Sequence, residues 1–208
     1  MLTTLAEKVD PKHAALLVID MQNDFCHDDG AKAHDGGDVS LVQAIVPPLQ
    51  ALIDGAHGAG VPVVFTQAVH NQWTDTDVRL ERHRTQEPNC IEGTWGVEFY
   101  GVAPEERDMV LPKARFSAFL GTELDRALRA RGVRTLVLTG TATSACVEST
   151  ARDGFMRDYY IVVAPDCCAQ GDLGRHEAAL KAIDGPFGVL APSGEVLGAW
   201  AELVNPAF

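Results

Sequence analysis

The sequence predicts an α/β protein with three layers, in which a roughly six-stranded parallel sheet lies between two layers of helices, doubly wound as in a Rossmann-like fold. Short apolar runs alternate with longer amphipathic stretches along the chain, a pattern typical of repeated strand–helix units. Residues 135–138 and 161–164 are almost entirely apolar, as strands buried on both faces of a parallel sheet are. Gly60, Gly132 and Gly185 follow helical stretches, where helices commonly end.

Six strands and four helices are assigned from these patterns. The predicted strands are residues 14–19, 62–66, 108–111, 134–139, 159–164 and 187–190. The predicted helices are residues 41–58, 122–131, 146–158 and 173–183. Crossovers between parallel strands are right-handed, and ligands of such sheets bind beyond the carboxyl ends of the strands. Because no linker or repeat divides the chain, we expect one domain over residues 1–208.

The chain is acidic, with 17 basic and 29 acidic residues and a formal net charge of −12. Such a chain repels phosphate backbones and anionic membranes, so nucleic acid is not an expected partner. The first eight residues have no basic region followed by an apolar core, unlike a signal peptide. No apolar run approaches the roughly 20 residues of a membrane span. We therefore expect a cytoplasmic protein with no membrane partner.

The cysteines also indicate a reducing compartment. Their number is odd, their spacing is irregular, and no pair has the CxxC spacing. This pattern predicts free thiols and no cysteine-based zinc site. The five are Cys26, Cys90, Cys146, Cys167 and Cys168.

Residues 135–150 are the most informative segment of the chain. An apolar run leads into Gly140, a turn of small residues follows, and Cys146 opens a helical stretch. A thiol at a helix N-terminus lies near unpaired N–H groups and the positive end of the helix dipole. Both favour the nucleophilic thiolate, and the same N–H groups can hold an oxyanion. The alternative is that Cys146 is a small buried hydrophobic residue, as most free cysteines are.

Two further strand ends carry charged residues. Asp20 directly follows the first predicted strand, and Lys113 follows the third. Considered alone, Asp20 could be a helix-capping or turn residue, and Lys113 could be an ordinary solvated lysine at the surface. Together with Cys146 they bring an acid, a base and a thiol to one edge of the sheet, a combination suited to nucleophilic catalysis.

Three motifs surround these residues: VIDMQNDF at 18–25, LPKARFSAF at 111–119, and TGTATSACVESTARD at 139–153. In this order they resemble the motifs of the isochorismatase-like cysteine hydrolase superfamily. The resemblance extends from about the first predicted strand to the last.

The resemblance implies roles for particular residues. Asp20, Lys113 and Cys146 would form the catalytic triad. A cis peptide bond would join Thr141 and Ala142, and the N–H groups of Ala142 and Cys146 would form the oxyanion hole. It also implies a homo-oligomer, a dimer or tetramer, whose neighbouring subunit could complete the pocket.

Two branches of the superfamily fit less well. Nicotinamidases carry an Asp-x-His metal motif after the second strand, but residue 68 is Ala and leaves His70 alone. The histidine- and aspartate-rich segment 27–38 has no spacing typical of metal ligands and is interpreted as a flexible, solvated loop. We therefore expect no metal. Isochorismatases proper lack the nucleophilic cysteine, so Cys146 argues against that branch.

The third branch contains ureidoacrylate, biuret and N-carbamoylsarcosine amidohydrolases. Residues 146–155 resemble the first two types, whereas the Thr-Ser pair at 143–144 resembles the third. Gln170 matches a glutamine of the ureidoacrylate enzymes and could pair with a ureido group; the alternative is an ordinary loop residue.

Other candidates for substrate binding are Phe25 and Trp95 as an apolar wall, and Thr141. Trp95 lies in the polar segment 70–104, which is long enough to cover a site as part of a lid. Arg115 could bind a substrate carboxylate through a bidentate pair, although a structural ion pair is the favoured role.

The expected function is a cysteine-dependent amidohydrolase without a cofactor. It would cleave a C–N bond of a small linear amide or ureido (carbamoyl) compound through a thioester and release ammonia. Two alternatives are another isochorismatase-like hydrolase, of nicotinamidase type or acting on an ester, and a protein that only binds a small ligand. The sequence does not determine the exact substrate.

Overall fold

The computed structural model describes residues 1–204 and contains a six-stranded parallel sheet. The strands are β1 (Ala14–Ile19), β2 (Val63–Ala68), β3 (Met109–Lys113), β4 (Thr135–Thr141), β5 (Tyr160–Ala169) and β6 (Val189–Leu190). Their order in the sheet is β3-β2-β1-β4-β5-β6. Helices cover both faces, so the predicted three-layer, doubly wound fold is confirmed.

The helices include the four predicted ones and several that the sequence patterns did not reveal. They are α1 (Leu5–Lys8), α2 (Asn23–Cys26), α3 (Ala31–His34), α4 (Ser40–Gln43), α5 (Val46–Ala59), α6 (Asp77–His83), α7 (Leu124–Ala130), α8 (Glu148–Met156), α9 (Leu173–Ile183) and α10 (Ser193–Val204). The predicted helix 41–58 is two helices, α4 and α5. Pro47 and Pro48 explain the break, since proline fits the first turn of a new helix but not a helix interior.

Helix α10 was missed because Gly194 and Gly198 weaken its helical pattern. Helix α10 is stabilised by tertiary contacts rather than by its own helix propensity. The Trp200 indole N–H, buried in the core, donates to the Val9 carbonyl at 2.8 Å. On the facing helix α5, a Cβ at Gly55 would overlap the end of the Leu197 side chain of α10, so glycine allows this approach without moving that side chain.

Each face of the sheet packs against its own hydrophobic cluster. Leu16 and Val18 point to the cluster under α5 and α10. Leu17 and Ile19 point to the cluster under α7 and α8. Because successive strand residues alternate between faces and both faces are covered, β1 is buried along its whole length. Among the described residues, no helix has both the length and the apolar character required to cross a membrane.

The order of the strands places a switch point between β1 and β4, where the winding changes direction. The carboxyl ends of these two strands open a crevice there. Gly140 brings them close, because its φ is +101° and a Cβ at this position would overlap the backbone of Ile19. The residues that follow Ile19 and Thr141 therefore lie side by side at one edge of the sheet.

Candidate active site

Asp20 is the first residue after β1 and is fully buried. Its φ is +51°, a conformation that aspartate tolerates better than most residues. The Thr66 hydroxyl donates to Asp20 Oδ1 at 2.6 Å, and the Asp20 backbone N–H donates to the same hydroxyl oxygen at 3.2 Å. This pair of hydrogen bonds from the neighbouring strand β2 fixes the carboxylate.

Lys113, the last residue of β3, is buried beside Asp20. Its Nζ lies 2.7 Å from Asp20 Oδ2 and 3.5 Å from Cys146 Sγ, and it donates to the Arg115 carbonyl at 2.9 Å. Burial alone would lower the pKa of this ammonium, but the Asp20 carboxylate and Cys146 hold it above the ordinary value. Lys113 is therefore charged at neutral pH and contacts both other members of the predicted triad.

Cys146 lies in a π-helical turn (Thr143–Val147) between β4 and α8 rather than at the first residue of a helix. The Ala142 carbonyl accepts hydrogen bonds from the N–H groups of Ala145 and Val147, which close this turn. The peptide bond between Thr141 and Ala142 is cis, as the resemblance implied. Cys146 is buried and is one of the residues that line the cavity above the sheet.

The expectation that the helix N-terminus favours the thiolate is not met in the resting site. Burial raises the pKa of the Cys146 thiol well above its usual range, and the Asp20 carboxylate raises it further, while Lys113 opposes both effects only in part. Desolvation of the charged form outweighs the nearby ammonium. The resting pair is thus a neutral thiol beside a carboxylate, and the thiol must lose its proton before it can attack.

A cavity of about 830 Å³ opens above Lys113 and Cys146. Phe25, Thr141 and Gln170, three of the four predicted substrate-binding residues, line it. The fourth, Trp95, does not line it within the described residues and packs edge-on against His27 at 4.9 Å between ring centroids.

The wall of this cavity, formed by its lining residues from segments 24–42, 70–89 and 170–175, differs from the sequence interpretation. Segment 27–38 was expected to be a flexible loop, but it contains α3. Lys32 from α3 and Asp38 just beyond it line the cavity. Within segment 70–104, α6 and its neighbours also line the cavity, in line with the predicted cover over a site.

Gln170 is oriented by its neighbours. Its Oε1 accepts the backbone N–H of Ser144 at 2.7 Å, and its Nε2 donates to the Asp172 carbonyl at 3.3 Å. Because the oxygen is occupied, the carboxamide presents its amino group as the remaining donor. It also links the loop after β5 to the turn that carries Cys146.

The cavity carries more positive than negative groups, although the whole chain has a net charge of −12. Six cationic side chains and four carboxylates line it. The cations are Lys32, Arg79, Arg82, Lys113, Arg115 and Arg175, and the carboxylates are Asp24, Asp35, Asp38 and Asp172. Sequence reasoning missed this excess because the cations come from four remote segments. One signal was available in the sequence: Arg79 and Arg82 are three residues apart, so on a helix they lie side by side, which is notable in an acidic chain.

Arg115 does not make the structural ion pair that was favoured for it. Its Nη1 donates to the carbonyls of Thr74 and Ala114 at 3.0 and 2.7 Å. No carboxylate in residues 1–204 lies within 4.0 Å of its guanidinium nitrogens. The side chain thus ties the cavity wall to the end of β3 and keeps its charge uncompensated.

His70, two residues beyond β2, also lines the cavity and is buried. Burial lowers its pKa to about 4, as do the positive charges of Arg79, Lys113 and Arg115, whereas Asp75 opposes them. The imidazole is therefore neutral at neutral pH. Among the described residues, no group of three or more His, Cys, Asp or Glu side chains is arranged to hold a metal ion.

Comparison with known proteins places this chain in a family. The model of the isochorismatase domain matches residues 14–195. Ureidoacrylate amidohydrolase RutB of Enterobacter sp. (strain 638) is 36% identical over 198 residues, covering 86% of this chain and 85% of the relative. RutB of Acinetobacter baylyi is 34% identical, covering 88% and 82% of the two chains.

Solved structures agree with this placement. A cysteine hydrolase from Pseudomonas syringae pv. phaseolicola superimposes with a TM-score of 0.83 at 26% identity, covering 94% of this chain and 96% of that one. An N-carbamoylsarcosine amidase from Thermoplasma acidophilum has a TM-score of 0.73 at 30% identity, covering 88% and 98%. Family model, relatives and fold agree, and the chain belongs to the isochorismatase family of hydrolases.

Proposed function

We propose that this protein is a cysteine-dependent amidohydrolase that cleaves a C–N bond of a small linear amide or ureido compound through a thioester and releases ammonia. The coarser assignment, a hydrolase of non-peptide C–N bonds, follows from the family and from the ureidoacrylate amidohydrolase relatives. One observation most strongly supports the finer assignment, the cysteine-dependent reaction through a thioester. Lys113 Nζ contacts both the Asp20 carboxylate and the Cys146 sulfur beneath a cavity of substrate size.

In the first step Asp20 takes the thiol proton and the Cys146 sulfur attacks the carbonyl carbon of the substrate. The raised pKa of the thiol makes a general base necessary, because little thiolate exists at neutral pH. Lys113 stabilises the negative charge as it moves from carboxylate to sulfur. The oxyanion of the tetrahedral intermediate accepts hydrogen bonds from the Ala142 and Cys146 N–H groups.

In the second step the protonated Asp20 gives its proton to the departing nitrogen. The C–N bond breaks, ammonia leaves, and a thioester joins the carbonyl carbon to the Cys146 sulfur. Water then attacks this thioester with Asp20 as the base, which releases the acid and restores the thiol. Because Asp20 and Cys146 exchange one proton, any pKa measured for the reaction belongs to the pair.

The substrate is held by residues that line the cavity. The Gln170 amino group donates to a ureido or amide oxygen, Thr141 lies next to the oxyanion hole, and Phe25 supplies an apolar contact. Trp95 acts one step away from the substrate, where it packs against His27.

We also propose that the chain is a single catalytic domain that works as a homo-oligomer in a reducing, cytoplasmic compartment. Free thiols support the compartment, because all five cysteines are unbridged. Trp73, Val78 and Leu80 are large hydrophobic side chains exposed within one short stretch of the chain, and they support a subunit contact. Light scattering of the purified protein tests the oligomer, and a monomer at micromolar concentration would contradict it.

The function is tested by ammonia release from ureidoacrylate, biuret, N-carbamoylsarcosine, maleamate and nicotinamide. We expect strong release from a ureido compound and none from the Cys146→Ala variant. Nicotinamide as the best substrate would move the protein to another branch. Ammonia release that persists in folded Cys146→Ala would exclude the thioester mechanism.

A further inference from the structure

Thr143 is the one residue of segment 141–146 that does not line the cavity. Its side chain is fully buried. It follows Ala142, whose N–H belongs to the proposed oxyanion hole, and it precedes Ser144, which lines the cavity. A buried hydroxyl requires a hydrogen-bond partner. The Thr143 hydroxyl therefore has its partner inside the protein rather than on a substrate.

The partner is a histidine from a different segment of the chain. Thr143 Oγ1 lies 2.8 Å from Nδ1 of His176, a half-buried residue on α9. Burial lowers the pKa of the His176 imidazole below its usual value, and the Glu177 carboxylate opposes this effect only in part. The imidazole is therefore neutral at neutral pH, and one of its ring nitrogens accepts a hydrogen bond. Because the hydroxyl has no other partner in residues 1–204, it donates to Nδ1.

A second hydrogen bond from the same segment reaches the next residue. Gln170 Oε1 accepts the Ser144 N–H at 2.7 Å. Gln170 and His176 thus hold two consecutive residues of the nucleophile turn (Thr143–Val147) from outside that turn. Hydrogen bonds within the turn fix its shape, whereas these two bonds fix where the turn lies relative to β5 and α9.

We propose that His176 and Thr143 are positioning residues for the oxyanion hole: their hydrogen bond holds the nucleophile turn so that the Ala142 and Cys146 N–H groups point at one oxyanion. This inference rests on the proposed function and deepens it. Neither side chain lines the cavity, so both act through the backbone of the turn. Because a misplacement of about 1 Å can cost about 100-fold in rate, one buried hydrogen bond at this place affects the reaction.

The proposed role concerns the oxyanion and not the sulfur. Cys146 Sγ is contacted by Lys113, and its protonation depends on Asp20; His176 contacts neither of these groups. Two reactions of Cys146 therefore distinguish the roles. Amide hydrolysis passes through an oxyanion and needs its N–H donors. In alkylation by iodoacetamide the sulfur forms a bond to the CH₂ carbon, iodide leaves and the thiol proton passes to Asp20, so no oxyanion develops.

The first experiment measures both reactions in matched variants. Thr143→Val keeps the shape of the side chain and removes the hydroxyl, and His176→Phe removes the acceptor. Each should lower kcat for ammonia release about 10- to 100-fold, with little change in KM and with an alkylation rate of Cys146 close to that of the wild type. The double variant should be no slower than the slower single variant, because the two side chains act as one unit. His176→Asn, whose amide oxygen can accept the hydroxyl hydrogen, should restore part of the rate.

Thr139→Val is the matched control. The Thr139 hydroxyl on β4 is also fully buried and donates to the Leu17 carbonyl at 2.8 Å. This variant loses the same kind of hydrogen bond outside the nucleophile turn. It should lower Tm about as much as Thr143→Val does and leave kcat unchanged. An equal loss of kcat in both variants would show that the reaction follows stability alone, and would overturn the inference.

The second experiment, amide hydrogen–deuterium exchange, does not require turnover. In the turn, the N–H groups of Ala145 and Val147 donate to the Ala142 carbonyl and are protected. In Thr143→Val, a peptide covering residues 142–148 should exchange about 10-fold faster than in the wild type, because local opening is easier. Exchange in β5 should not change.

The outcomes separate this inference from the proposed function. Hydrolysis and alkylation slowed equally in Thr143→Val would connect the pair to the sulfur instead of the oxyanion, and would overturn the inference while leaving the amidohydrolase intact. Unchanged exchange in the turn would overturn it as well. Faster exchange in the turn of a protein that releases no ammonia from any amide would support the hold on the turn and count against the proposed reaction.

Discussion

The triad and the cavity wall differ in nearly every physical respect. Asp20, Lys113 and Cys146 lie at or just beyond the carboxyl ends of three strands of one sheet and are buried, and Lys113 contacts each of the other two. The wall comes from short helices and turns, and its side chains are more exposed. The sheet fixes the groups that carry out the proposed reaction, whereas the segments between strands and helices determine which molecule reaches them. Substitutions in the triad should therefore lower the rate of the reaction, whereas substitutions in the wall should mainly change which substrates are used.

The largest effect is expected at the nucleophile. Cys146→Ser should lower kcat by about 10⁴-fold or more, because the triad acts as a unit, without a large change in stability. Ammonia release and circular dichroism measure the two quantities. Cys167→Ala, at a buried cysteine outside the cavity lining, is the matched control. Activity of Cys146→Ser within tenfold of the wild type would show that the sulfur is not the nucleophile.

Loss of the carboxylate should affect both activity and stability. Asp20→Asn removes the general base, which is worth about 10² to 10⁴ in rate. It also leaves the Lys113 charge buried without its partner, at a cost of about 3–5 kcal/mol. Activity and denaturant unfolding measure the two effects.

Asp29→Asn serves as the control for this pair of measurements, because the Asp29 side chain is 83% exposed. It should change neither quantity. If Asp20→Asn lost activity but kept full stability, the ion pair with Lys113 would not contribute as the structure indicates.

A wall residue should produce a smaller change. Gln170→Leu removes one neutral hydrogen bond to the substrate and should lower kcat/KM for a ureido compound about 3- to 10-fold, with the fold retained. Steady-state kinetics measure it, and Gln50→Leu at an exposed site is the control. A loss as large as that of Cys146→Ser would mean that Gln170 belongs with the triad rather than with the wall.

The smallest effect concerns the pH dependence of thiol alkylation. Because the pKa of Cys146 is raised, its thiolate fraction should keep increasing with pH beyond 9, where an ordinary thiol of pKa about 8.5 levels off. Asp20→Asn removes a charge that raises this pKa, so the variant should react several-fold faster with iodoacetamide at pH 7.5. Mass spectrometry of the Cys146 peptide follows the rate. A plateau below pH 8 in the wild type would contradict the buried, protonated thiol.

The same contrast explains what the sequence made predictable. Apolar runs mark buried strands, and residues at or soon after the ends of such runs lie at the ligand-binding edge, so pattern and motif together predicted Asp20, Lys113 and Cys146 as a triad. Their mutual contacts agree with that prediction. The raised pKa of the Cys146 thiol was not predicted, because burial and the charge of Asp20 depend on packing that no local pattern contains.

The wall was less predictable because its residues meet only through tertiary structure. Segment 27–38 looked like a solvated loop, yet the Asp24 carboxylate accepts the Ala31 N–H at 3.2 Å and holds α2 against α3. Helix α10 likewise depends on the Trp200 contact rather than on its own propensity. His70 was noted only as a lone histidine, since its unpartnered nitrogen is visible only after folding.

Arg115 belongs to both regions, and this limits how the enzyme can be redesigned. Its backbone carbonyl accepts a hydrogen bond from the Lys113 ammonium, while its guanidinium holds the Thr74 carbonyl of the wall. Segment 70–104 could be exchanged for that of another amidase to change the substrate range. The new segment must then place a backbone carbonyl where Thr74 has one, so that the Arg115 guanidinium keeps its acceptor. Otherwise Arg115 would shift, its hydrogen bond with the Lys113 ammonium would be disturbed, and the variant with the new specificity would have a lower kcat.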